Sequence, residues 1–259
     1  MPVLPLPAFD DNYIWLLRAE GDERAVVVDP GDEEPVIDYL EREGLTLASI
    51  LVTHRHGDHV GGIPALRRRY SQVRVQGPSQ EPIRGLTHPL REGQRVDLPF
   101  GGVLRVLEVP GHTRGHLAYA GEGMLFCGDV LFGAGCGRVF EGTLEQMAVS
   151  LERLAALPGE TRVYCAHEYT LANLGFARWV EPDNAALQNR TRQAEDLRAR
   201  QQPTVPSTLA EEHATNPFLR TREETVVKAA ERHAGHSLTP GTEVFAVLRQ
   251  WKDREYDSN

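Results

Sequence analysis

The sequence predicts an α/β core followed by a smaller, all-helical region. Two observations carry this. Short apolar, β-branched runs alternate with helical patterns over the first two-thirds of the 259 residues. After about residue 170 the strand-like runs stop and helical periodicity alone continues. A boundary near 170 therefore divides an expected domain over 1–170 from a second over 171–259.

The expected strands, in order, are Ala25–Asp29, Ser49–Thr53, Leu104–Val109, Leu117–Ala120, Met124–Cys127 and Thr161–Cys165. Each is rich in Val, Ile, Leu or aromatics and is bounded by Gly, Pro, Asp or His, as buried strands are. Helices fall between them. Glu34–Glu43 carries apolar residues at 36, 37 and 40. Thr143–Leu157 opens with Thr143 and Gln146 at capping-box spacing and lines up Leu144, Met147, Leu151 and Leu154. Beyond 170, Asn184–Gln202, Arg222–His233 and Thr242–Tyr256 read as helices, with a Pro-rich link at Gln202–Ser207.

Composition narrows the classes of function. A 41% hydrophobic and 25% charged chain has the material for a core. It contains no apolar run long enough to span a bilayer, and its first residues lack a basic signal-peptide start. A net charge of −9 disfavours nucleic acid and anionic membranes as partners. It leaves open a small anionic ligand held in a local basic pocket. Three cysteines, Cys127, Cys136 and Cys165, with no C-x-x-C, fit small buried thiols in a reducing cytoplasm rather than disulfides or a thiolate metal cage.

The segment Thr53-His54-Arg55-His56-Gly57-Asp58-His59 follows a strand and offers four metal ligands within six residues. In an extended loop His54 and His56 share a side, and Asp58 and His59 reach further on. His112, Asp129 and His167 each sit just past the end of another expected strand, where sites assemble in sheet proteins. Together they make five imidazoles and two carboxylates, enough for two ions. His116 fits a supporting hydrogen-bond role better than an eighth ligand. Asp29 either orients one of the imidazoles or forms a turn with Pro30-Gly31. His88, His213, His233 and His236 are expected at the surface.

His54-x-His56-x-Asp58-His59, Gly111-His112-Thr113, Gly128-Asp129 and His167 resemble, in this order, the metal motifs of the metallo-β-lactamase superfamily. Narrower features resemble its glyoxalase II family: Ala8-Phe9-Asp10-Asp11-Asn12-Tyr13, Gly135-Cys136-Gly137-Arg138, Phe140-Glu141-Gly142, His167-Glu168-Tyr169-Thr170, Asn216-Pro217-Phe218 and Arg249-x-x-Lys252-Asp253. The resemblance runs along nearly the whole chain. It implies a four-layer αβ/βα sandwich with a C-terminal helical, glutathione-binding domain.

It also implies two divalent ions per chain, Zn²⁺ first and Fe²⁺ or Mn²⁺ as alternatives. His54, His56 and His112 would hold one, Asp58, His59 and His167 the other, and Asp129 would bridge. Asp58 and Asp129 then take part in catalysis. Arg138, Tyr169, Arg249 and Lys252 would bind substrate. Arg249 and Lys252 are three apart on a helix whose apolar stripe is Val244, Val247, Leu248 and Trp251. The animal enzymes commonly have Lys at position 138 and Tyr at 140; here Arg138 keeps the cation and Phe140 loses the hydroxyl.

The implied reaction is hydrolysis of the thioester of an S-2-hydroxyacylglutathione by a metal-activated hydroxide, in a cytoplasmic monomer. Neither a Ser-His nor a Cys-His pair is needed, and no G-x-S-x-G is present. Rival readings on the same fold are a persulfide dioxygenase or a lactonase, against which the helical C-terminus and Arg249/Lys252 count. An RNA-processing nuclease is disfavoured by the acidic balance. A non-catalytic metal-binding scaffold is disfavoured by the complete set of seven ligands.

Overall fold

A computed structural model describes residues 1–257; the last two residues of the expected 171–259 domain lie outside the described residues. The chain forms two compact units: residues 1–108 with 114–128, and residues 109–113 with 129–257.

The first unit begins with β1 (Val3–Ala8), β2 (Asn12–Arg18) and β3 (Arg24–Val28), then α1 (Glu34–Glu43) and β4 (Thr46–Leu51). Two short helices follow, α2 (Gly57–Val60) and α3 (Ile63–Arg69), then β5 (Arg74–Pro78) and β6 (His88–Leu90). These six strands form one sheet in chain order, antiparallel from β1 to β3 and parallel from β3 to β6. The parallel strands need crossovers, and α1 and α3 supply them. Ile14, Leu16, Val27, Ile50 and Val75 of the sheet pack with Val36 and Leu40 of α1 and with Ile63 and Leu66 of α3.

A second sheet in this unit runs β10-β9-β8-β7, antiparallel throughout, from β7 (Arg95–Asp97), β8 (Val103–Glu108), β9 (Leu117–Gly121) and β10 (Met124–Gly128). Two hydrogen bonds tie it to the end of β4: Tyr119 donates its hydroxyl to the Val52 carbonyl (2.6 Å), and the Leu117 N–H donates to the Thr53 carbonyl (2.8 Å).

The second unit contains β11 (Leu131–Phe132), β12 (Gly135–Cys136), α4 (Leu144–Ala155), β13 (Arg162–Cys165), α5 (Thr170–Val180) and α6 (Ala185–Ala199). It continues with β14 (Ser207–Thr208), α7 (Leu209–Thr215), α8 (Glu224–Ala234), α9 (Thr242–Trp251) and a closing π-helical turn, Lys252–Tyr256. The expected capping box of α4 is present in both directions: the Gln146 N–H donates to Thr143 Oγ1 (3.1 Å) and the Thr143 N–H to Gln146 Oε1 (3.0 Å). Ala134, Leu174, Ala177, Leu187 and Ala194 form one core cluster here, with stacked or edge-on Phe176, Phe218 and Phe245 beside it.

The structure adds elements that the sequence reading did not expect, among them strands β1, β2, β5, β6 and β7 and helices α3 and α7, and it departs further at the following points. The Pro-rich link contributes strand β14, paired with β13, so strand structure does not end at 170. Helix α5 begins at Thr170, without a side-chain cap at its start. The last expected helix ends in a wider turn. Among the described residues no helix is long and apolar enough to cross a membrane.

Candidate metal centre and ligand pocket

In the first unit the ligand loop leaves β4 and is pinned at once. Asp29, just past β3 and in the left-handed region (φ 53°), accepts from the Thr53 N–H (2.7 Å) and the Thr53 hydroxyl (2.7 Å). The second carboxylate oxygen also lies 3.0 Å from His59 Nδ1. Because the Thr53 hydroxyl donates to Asp29, its oxygen is left to accept from His54 Nδ1 (3.1 Å). His54 therefore carries its proton on Nδ1 and presents a lone pair on Nε2, the form that binds a cation, and the Asp29 carboxylate beside His59 Nδ1 favours the same form there.

These lone pairs converge on further donors. His54 Nε2 is 3.0 Å from His56 Nδ1, and His59 Nε2 is 3.4 Å from Asp58 Oδ2. The two-residue spacing of His54 and His56 thus brings them together. Asp58 and His59 lie in α2, where Asn12 donates to Asp58 Oδ2 (3.0 Å). His116 is fully buried and its ring stacks on His54 at 4.6 Å. Of the two readings of Asp29, the structure shows both at once, a turn and an anchor for an imidazole. Gly128 has no alternative: a Cβ there would lie 2.4 Å from Thr53 Oγ1 and 2.8 Å from the His116 ring.

The second unit repeats the same logic. His112 Nδ1 donates to the Arg138 carbonyl (2.8 Å), since a carbonyl can only accept, and this leaves the lone pair on Nε2. Asp129 places one carboxylate oxygen 3.4 Å from His112 Nε2 and the other 3.4 Å from His167 Nε2. One carboxylate thus addresses two imidazoles, the arrangement that a bridging ligand requires. Gly137 lets the chain pass here, because a Cβ would sit 1.9 Å from the Asp129 carbonyl oxygen. In each unit, imidazole nitrogens and carboxylate oxygens approach within 3.0–3.4 Å, mostly buried, and the donor set suits Zn²⁺, Fe²⁺ or Mn²⁺.

A cavity of about 510 Å³ in the second unit is lined by His112 and Asp129 together with Arg138, Phe140, Tyr169, Arg249, Lys252 and Asp257. Neither predicted cation on α9 and its closing turn is solvated: Arg249 is 1% and Lys252 6% exposed. Arg249 donates to the Cys136 carbonyl (2.9 Å) and to Asp253 Oδ1 (2.8 Å), while its Nε has no hydrogen-bond partner among the described residues. Lys252 donates to Asp257 Oδ1 (2.5 Å) and Arg138 to Asp257 Oδ2 (3.2 Å). Burial pulls the Lys252 ammonium below its ordinary value, against the opposing pull of Asp257. Asp257 is itself held below the usual carboxylate range: burial opposes ionisation, but Lys252, Arg138 and Arg249 outweigh it.

Tyr169, 37% exposed, stacks on His167 with centroids 4.7 Å apart and planes 6° off parallel. It does so from the cap position of α5 (φ −96°, ψ 4°). Phe140 is 62% exposed and meets the His112 ring edge-on at 5.1 Å, an apolar contact with no hydroxyl to offer. His88, His213, His233 and His236 are exposed as expected. Sequence reasoning quoted Asn12 only within a motif, without a role, and did not single out Asp257. Asn12 acts on a residue 46 positions away, and Asp257 looks like one more acidic residue in a charged tail.

Comparisons with known proteins agree with this architecture. Residues 8–167 match the model of the metallo-beta-lactamase superfamily, and residues 168–255 match that of the hydroxyacylglutathione hydrolase C-terminus. The chain is 52% identical to a hydroxyacylglutathione hydrolase of Vibrio parahaemolyticus, over 98% of this chain and 99% of that one. It is 55% identical to one of Alkalilimnicola ehrlichii, over 97% and 98%. Among solved structures it is similar to ETHE1 from Myxococcus xanthus (26% identity, TM-score 0.65, 96% and 97% covered). It is also similar to TTHA1623 in a di-iron-bound form (30% identity, TM-score 0.56, 64% and 92% covered). With both of its regions matched and half of its residues shared with such relatives along their full length, the chain belongs to the hydroxyacylglutathione hydrolase family, on the metallo-β-lactamase fold.

Proposed function

We propose that this protein hydrolyses S-2-hydroxyacylglutathione, S-D-lactoylglutathione in the first instance, to glutathione and a 2-hydroxy acid, D-lactate. The observation that carries this reading is a single cavity lined both by an imidazole–carboxylate ligand set and by buried cations. The first suits hydrolysis at a carbonyl; the second suits the carboxylates of a glutathione conjugate. The family to which the chain belongs supports the same substrate.

In this reading His54, His56 and His112 hold one divalent ion and Asp58, His59 and His167 a second, with Asp129 shared. The di-iron form of a related structure supports two ions rather than one. When bound, such ions acidify water and polarise the thioester carbonyl. The chain's own residues do the rest. The Arg138 carbonyl fixes the Nδ1 proton of His112, and the Asp29 carboxylate beside His59 Nδ1 favours a proton there, so the ligand nitrogens are preset. Arg249, Lys252 and Arg138 supply the charge that an anionic conjugate needs in a protein of net charge −9. Tyr169 stands beside His167 as a contact to the ligand. Residues 1–170 would be the catalytic domain and 171–259 the glutathione-binding one. The three buried free thiols support a reducing, cytoplasmic setting. A monomer is part of the proposal, to be read from sedimentation.

The test is hydrolysis of S-D-lactoylglutathione with metal analysis of the same sample. We expect turnover without oxygen consumption, close to two ions per chain, loss with a chelator and recovery with Zn²⁺, Fe²⁺ or Mn²⁺. Full activity in metal-free protein overturns the metal assignment, and oxygen uptake with a persulfide substrate would favour a dioxygenase.

A further inference from the structure

The cation pocket already contains a carboxylate. Asp257 Oδ1 is 2.5 Å from Lys252 Nζ, and Asp257 Oδ2 is 3.2 Å from one Arg138 guanidinium nitrogen and 3.5 Å from an Arg249 one. Asp253 is the other acid present, held by Arg249 one helical turn away. Among the described residues, three cations therefore face two carboxylates. The two acids differ in kind. Asp253, its side chain 37% exposed, pairs closely with Arg249 along its own helix and only at 3.7 Å with Arg138, whereas Asp257 follows the last regular turn and reaches back across the pocket with its side chain 17% exposed.

The backbone is shaped for this reach. In the closing π-helical turn the Asp257 N–H donates to the Lys252 carbonyl (2.9 Å), so residues five apart come face to face. Tyr256 locks the turn against α5. Its ring lies edge-on to Phe176 and Trp179, and its hydroxyl stands where a Cβ on Gly175 would be, 1.9 Å away. A carboxylate delivered to three cations by a dedicated turn has the chemistry of the ligand that those cations are expected to bind.

We propose that Asp257 is a specificity-determining residue. It occupies Arg138, Arg249 and Lys252 as an internal stand-in for a carboxylate of the glutathione moiety, and the ligand takes its place by exchange. This rests on the glutathione-thioester reading above. Exchange makes the pocket selective. A small anion that offers only its charge replaces one carboxylate by another and gains little. A ligand anchored at a second point gains the remainder. If Asp257 closes the pocket most of the time, apparent affinity is lowered by the fraction of time it stands open.

The test compares wild-type protein with Asp257→Asn and Asp257→Ser, all metal-loaded. Glutathione binding is followed by calorimetry, KM is measured with S-D-lactoylglutathione, and inorganic phosphate is titrated as the probe of a bare anion. Both variants should bind glutathione about three- to tenfold more tightly, with KM falling in parallel. Phosphate binding should strengthen at least as much. Glutathione esterified at its glycine carboxylate should gain nothing. A KM and Kd that rise in the variants would make Asp257 a structural strut, and unchanged values for glutathione and phosphate would remove its role; either result overturns the proposal. Wild-type protein that fails to hydrolyse S-D-lactoylglutathione defeats the substrate reading instead. The phosphate comparison still tests the exchange at Asp257.

Discussion

Asp29 shows how much of the ligand geometry depends on a residue that binds no ion in the proposed scheme. One carboxylate receives both donors of Thr53 and faces His59 Nδ1. Asp29→Ala leaves those buried donors without an acceptor, at about 1–3 kcal/mol each, and should lower the denaturant midpoint markedly. Asp29→Asn keeps the shape, but its amide NH₂ cannot accept from His59 Nδ1. It should lose less stability and yet about 10- to 100-fold in metal affinity, read by competition with a chelator. Equal losses of stability and metal in the two variants would contradict this split. Asp129 is the companion case. Asp129→Ala should deplete both ions together and lower kcat more than it raises KM, whereas a variant that kept two ions and near-normal kcat would end the bridging assignment. The residues proposed as ligands stand out in the sequence because their signals are local: a two-residue spacing, or a position just past a strand. Of the groups beside them, the role of Asp29 was one of two readings open in the sequence, from its place just past a strand, whereas the contact of Asn12 with Asp58 spans 46 positions and no periodicity connects such a pair.

At the scale of the element, the closing turn of α9 depends on a missing side chain in α5. Gly175→Ala should be favourable for an isolated helix by about 1 kcal/mol, yet the new Cβ collides with the Tyr256 hydroxyl. We expect the turn to be displaced, Lys252 to lose its position and KM for S-D-lactoylglutathione to rise several-fold. Adding Tyr256→Phe removes the colliding oxygen and should recover part of the loss; no recovery would place the effect elsewhere. Helix α9 was readable from its stripe of Val244, Val247, Leu248 and Trp251. Its final widening was not, because a π turn leaves no mark in hydrophobic spacing. Helix α5 was overlooked for a related reason. It starts without a side-chain cap, and its apolar residues do not gather on one side. The strand in the Pro-rich link is only two residues long, too short for alternation to show.

For the molecule as a whole, buried ion pairs make stability depend on pH. Burial alone would raise the Glu181 carboxyl, but the Arg220 guanidinium, in a two-point pair at 2.7 and 3.0 Å, and the Thr225 hydroxyl hold it below the ordinary range. A carboxyl lowered on folding stabilises above its unfolded value, ~4.3, and that contribution is lost as pH falls through the folded value. Wild-type stability should therefore fall in acid more steeply than that of Glu181→Gln, which should be the less stable protein at pH 7. Parallel curves from chemical denaturation would dismiss the pair as a source of the dependence. The α/β-then-helical order was visible in the sequence because core-forming periodicity is a property of long segments. The way in which the chain gathers into two compact units was not, since residues 109–113 group with 129–257 through contacts remote in sequence.

The burial of Cys127, Cys136 and Cys165 has a bearing on chemical durability. An enzyme that liberates glutathione works in the presence of the thiol best able to enter mixed disulfides, and exchange requires an exposed thiolate. Cys136 lines the ligand cavity, yet it is 4% exposed and burial pushes its thiol up despite the neighbouring Arg249. The folded protein should therefore react slowly with oxidised glutathione and release three titratable thiols only on unfolding. Its product can accumulate around it without capping it.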